Sequence, residues 1–81
     1  TGQSSRSIDM LKKVVDMHPN DPDAYYNIAC LYSLENNKTE SHGWLSMAVG
    51  KGFKDWKLMK TDKDLNNIRN TKSYKDLVEG K

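Results

Sequence analysis

Ser7, Leu11 and Val14 are matched by Ser41, Leu45 and Ala48, each 34 residues further along the chain. This self-match constrains the fold more than any other feature. A period of about 34 residues marks stacked helix–turn–helix units, none of which buries its apolar face alone. It predicts an all-α chain built from antiparallel helix hairpins, and a role in binding other proteins.

Periodicity and punctuation place the helices. Ile8, Leu11 and Val15 form one line of a helix over 6–17, and Met10, Val14 and Met17 form an adjoining line. His18 precedes Pro19 and is biased out of the α region, which ends that helix near Met17. A second helix over 23–34 follows Asp21, a candidate N-cap, with Pro22 in the first turn where a missing N–H costs nothing. Asn36-Asn37 breaks it. Asn37 and Glu40 form a variant capping box for a third helix over about 38–49, which Gly50 and Gly52 close. Beyond Gly52 the pattern shortens. Phe53, Trp56, Leu58 and Met59 fit one turn, Leu65 and Ile68 a second capped by Asp62 or Asp64, and Tyr74, Leu77 and Val78 a last helix capped by Thr71. No segment alternates as a strand, and residues 1–5 read as a disordered lead or a cloning scar.

The run Ala24-Tyr25-Tyr26-Asn27-Ile28-Ala29-Cys30-Leu31-Tyr32 resembles the first helix of a tetratricopeptide repeat, and Ser41, Leu45 and Ala48 resemble its second. The family pattern of aromatic, aliphatic-small, aromatic is met by Tyr25, Ile28-Ala29 and Tyr32. Small residues at 29 and 48 let two helices cross closely, while Tyr25, Ile28, Tyr32 and Leu45 fill the space around the crossing. The resemblance implies a fragment of an α-solenoid: residues 6–19 as the second helix of a truncated repeat, 22–52 as a complete repeat, and 53–81 as a degenerate helical cap ending an array. Phe53 stands where the family would put a closing proline, consistent with the array ending there.

The resemblance also implies a site. Asp23, Tyr26, Asn27, Cys30 and Ser33 form a polar stripe on the helix 23–34, and the matching stripe in tetratricopeptide proteins lines the concave groove that receives a peptide. Asn27 would bond the ligand backbone through its amide, and Tyr26 would form an aromatic wall. Lys57 and Lys60 would border the groove and favour an acidic partner. The plainer alternatives are an ordinary exposed helix face, and a purely structural cap that closes a longer array and binds nothing itself. Helix 6–17 carries apolar residues on two lines, too many for helix 23–34 alone to cover, so a homodimer through residues 8–17 is expected.

Other chemistry finds little support. Lys51, Lys54, Lys57, Lys60 and Lys63 recur every third residue, but each step slips about 60° around a helix, so they spread instead of forming one stripe. Residues 1–50 hold 4 basic and 6 acidic side chains and residues 51–81 hold 9 and 5, an imbalance too small to imply nucleic acid or a membrane surface. No apolar run approaches the ~18 residues of a membrane span. Asp62-Lys63-Asp64-Leu65-Asn66 begins like a calcium loop, but Asn67 replaces the required glycine and Ser73 the bidentate glutamate. His18 and His42 lack partners at metal spacing, and Cys30 has no second cysteine. No nucleophile–base pair can be assembled, so no enzyme, metal or cofactor is expected.

Overall fold

The computed structural model describes residues 2–79, with the backbone alone for 2–5. Five helices and one 3-10 turn follow in order: α1 Gly2–Met17, α2 Pro22–Leu34, α3 Lys38–Gly50, α4 Trp56–Thr61, the turn Lys63–Leu65, and α5 Lys72–Val78. The all-α expectation holds, with no strand among the described residues.

Local chemistry explains the boundaries. The Asp21 carboxylate accepts from the N–H of Asp23 at 3.0 Å, and Asp55 from that of Leu58 at 3.1 Å. Asp62 accepts from Asp64 at 2.9 Å, and Thr71 from Tyr74 at 3.2 Å. Each contact satisfies an otherwise orphaned donor at a helix start. Just past the end of α2 stands Asn36, which has φ of 60°, while Asn37 N–H donates to Tyr32 O at 2.9 Å and Asn36 N–H to Ser33 O at 2.9 Å. Helix α3 is closed the same way by Gly52, φ 108°, two residues past its end, with Phe53 N–H donating to Ala48 O at 2.9 Å. Asparagine and glycine tolerate this left-handed geometry, which closes the last carbonyls. Gly50, expected to help stop α3, remains helical.

Helix α1 starts at Gly2, within the segment 1–5 read from sequence as a disordered lead or a cloning scar. Gln3-Ser4-Ser5 contains no proline, so a helix already nucleated downstream gains one hydrogen bond per added residue. Thr1, Gly80 and Lys81 lie outside the described residues.

Helix α2 is the hub. It packs most extensively on α3, then on α1, and its other side receives the 3-10 turn. Ile28, Ala29, Leu45 and Ala48 are all fully buried. The Ser41 hydroxyl donates to Ala29 O at 2.7 Å, so the small polar side chain of the repeat crosses the α2–α3 interface without an unpaired atom. Helix α1 separates its two lines. Ile8 is buried and Leu11 and Val15 are half-buried. Met10 and Met17 remain 67% and 73% exposed, so the face expected to meet a second copy is open to solvent.

Candidate binding cleft beside the second helix

The two sides of α2 do different things. Toward α1 and α3, the Tyr25 hydroxyl donates to Pro19 O at 2.7 Å, its ring lies 5.8 Å from that of Trp44, and Lys12 Nζ donates to the Tyr32 hydroxyl at 3.1 Å. Toward the C-terminal segment stand Tyr26, Cys30 and Ser33. The sequence pattern puts these three on an exposed polar stripe, but all three are buried, at 4%, 6% and 0% exposure.

The segment 53–79 covers them. Phe53 stacks on Tyr26 with ring centroids 4.3 Å apart and planes 12° from parallel. The Tyr26 hydroxyl donates to Asp62 Oδ2 at 2.7 Å, and Cys30 Sγ reaches the same oxygen at 3.9 Å. Asn67 Nδ2 donates to Ser33 O at 2.8 Å. Arg69 fixes the segment's own shape: its guanidinium donates to Met59 O at 3.2 Å and Asp62 O at 2.6 Å, and also bonds Asn66. The Tyr74 hydroxyl donates to Met59 O at 2.8 Å, and Met59, Leu65, Ile68 and Tyr74 join the core. The physical reason is the apolar demand of the C-terminal segment, whose short helices cannot form a core alone and take the free side of α2.

What stays open is a cleft of about 330 Å³. From α2 it is lined by Asp23, Tyr26, Asn27 and Cys30, and from the facing segment by Phe53, Leu58, Asp62 and Asp64. Asp23 and Asn27 are exposed, while Tyr26 and Cys30 form its floor. Lys57 and Lys60, expected at this border, are exposed on α4 but are not among the lining residues. The cleft's charge comes from carboxylates.

Cys30 Sγ and one carboxylate oxygen each of Asp62 and Asp64 lie within 4.8 Å of one another, a juxtaposition invisible in sequence because Cys30 and Asp62 are 32 residues apart. Burial, reinforced by the Asp62 charge, pushes the Cys30 thiol up to about 12. Burial and then the hydrogen bond to Asp62 raise the Tyr26 hydroxyl as well. Both groups therefore keep their protons at neutral pH. A protonated thiol is a poor nucleophile and metal ligand, and Asp62 Oδ2 is already engaged by Tyr26. Because both values are raised in the folded state, their contribution to stability falls as pH climbs from the ordinary thiol range toward the folded value.

The comparisons agree with this architecture. The tetratricopeptide-repeat family model matches residues 10–48, which run from within α1 through most of α3. Residues 10–48 of the chain thus carry a tetratricopeptide repeat. Repeats of this class serve in protein–protein interaction and are typically non-catalytic. A chloroplastic protein of Arabidopsis thaliana is 27% identical over 81 residues, a match covering 96% of this chain and 24% of that protein. The chain thus spans about a quarter of that relative's length. No solved structure matches it.

Proposed function

We propose that the chain is a peptide-binding module whose ligand lies in the cleft on the concave side of α2. The observation that carries this reading is Asn27. It stays exposed at the rim of the cleft while Tyr26 and Ile28 on either side of it are buried. An amide so placed can donate to and accept from the backbone of an extended segment, and the Tyr26–Phe53 stack offers that segment an apolar floor. Peptides selected from a displayed random library against the intact chain should compete with one another for one site. Asn27→Ala should weaken them roughly tenfold, the effect of about one lost hydrogen bond of ~1.4 kcal/mol. Failure to enrich any sequence, or binding indifferent to Asn27→Ala, counts against the cleft.

A second reading has its own support. Asp62 and Phe53 close over Tyr26, as a segment protecting the last apolar face of a repeat array would do. On that reading the C-terminal segment is a structural cap, and the same selection yields nothing.

A further inference from the structure

We propose that the partner segment presents a basic side chain, arginine or lysine, to this cleft. The inference rests on the peptide-binding reading above and reverses the charge expected from Lys57 and Lys60.

Three carboxylates, from Asp23, Asp62 and Asp64, reach the cleft, and no lysine or arginine lines it. Asp62 is committed to the Tyr26 hydroxyl. Asp23 and Asp64 stand on facing walls of the one concavity. Carboxylates so placed favour a cation between them, and the lining does not supply one. The remaining walls suit a long basic side chain. Leu58 is 40% exposed, and the stacked rings of Tyr26 and Phe53 lie beneath, so the methylene stem has an apolar surface and the charged head has two acceptors. A guanidinium fits best, because its planar fork can bond two carboxylates at once and lie against an aromatic face.

The chain's net charge of +2 does not oppose this. Lys57, Lys60 and Lys63 are exposed, and none of them is among the residues lining the cleft. A small cation is a weaker occupant, because both Asp62 oxygens already accept hydrogen bonds, from the Tyr26 hydroxyl and the Asp64 N–H. An acidic segment would meet like charges on both walls.

Three matched octapeptides test the proposal, one with alternating glycine and arginine, one with citrulline for arginine, and one with glutamate. Each is titrated into the isotopically labelled chain while backbone amide shifts are followed. The expected result is saturable shifts at Asp23, Asn27, Cys30, Leu58 and Asp64 with the arginine peptide alone, weakened at least fivefold in the Asp23→Asn/Asp64→Asn variant. That variant preserves shape and leaves the Asp62 bond intact, and its spectrum in the absence of peptide reports whether the fold is kept. Equal shifts at these amides from the citrulline or glutamate peptide overturn the basic partner but leave the peptide-binding reading standing. Shifts from the arginine peptide that persist unchanged in the double variant, or scatter over the surface, also overturn it. No localised shift from any of the three overturns both readings.

Discussion

Asp62→Ala should lower the stability of the chain by about 1–3 kcal/mol, the usual cost of leaving a buried hydroxyl without its partner. The Tyr26 hydroxyl is the group at risk: it is 4% exposed and donates at 2.7 Å to the carboxylate that would be removed. The same substitution removes the side chain that caps the 3-10 turn through the N–H of Asp64. In a domain of this size the loss would appear as a fall in Tm of roughly 4–8 °C per kcal/mol. Tyr26→Phe removes the donor instead and keeps the stack on Phe53. If the two residues act through one bond, the double variant should be less destabilised than the sum of the single ones, with a coupling of about 1 kcal/mol or more. Additive losses in chemical denaturation would mean that the bond contributes nothing of its own.

Ala29→Leu should cost about 1–3 kcal/mol through overpacking. Ala29 and Ala48 have no exposed surface, and Ser41 Oγ sits 2.7 Å from Ala29 O, so no space exists for three more carbons. Ala29→Ser is the informative control, since it adds one atom and little volume. An unchanged denaturation midpoint for Ala29→Leu would show that α2 and α3 do not cross closely, and would remove the main packing argument for the repeat.

Those two substitutions probe opposite sides of α2, and the sides differ in how well the sequence foretold them. The α3-facing side was legible. Tyr25, Ala29, Ser41 and Leu45 repeat a pattern of known spacing, and their partners lie within about twenty residues. The helix starts at Asp21, Asn37 and Thr71 were legible too, because a cap acts on donors two or three positions away. The opposite side was not. Tyr26, Cys30 and Ser33 look like an exposed polar line when α2 is considered alone. Their burial depends on Asp62 and Asn67, more than thirty residues downstream. A signal was present in the apolar residues Phe53, Met59, Leu65 and Ile68, which need a surface to cover, but nothing local says which surface. Lys57 and Lys60 fall outside the cleft lining for a related reason: α4 has only six residues, and Met59 is the one it buries in the core.

The cleft follows from that closure. Where Asp62 and Phe53 meet α2, the groove becomes a floor, and only its end at Asp23 and Asn27 stays open with an acidic lining. The proposed basic partner follows from that lining, since Asp23, Asp62 and Asp64 supply its only charged side chains.

The central claim, that the C-terminal segment closes over the Tyr26–Cys30–Ser33 side of α2, is tested most directly by the rate at which iodoacetamide alkylates Cys30. In the intact folded chain at pH 8, a buried thiol raised to about 12 should react ~10³-fold more slowly than the same thiol in denaturant, because so little thiolate is present. The rate should then climb about tenfold per pH unit without levelling below that value, as long as the fold persists. A folded-state rate within about tenfold of the denatured one at pH 8 would contradict the account, since it would place Cys30 on an open face of α2.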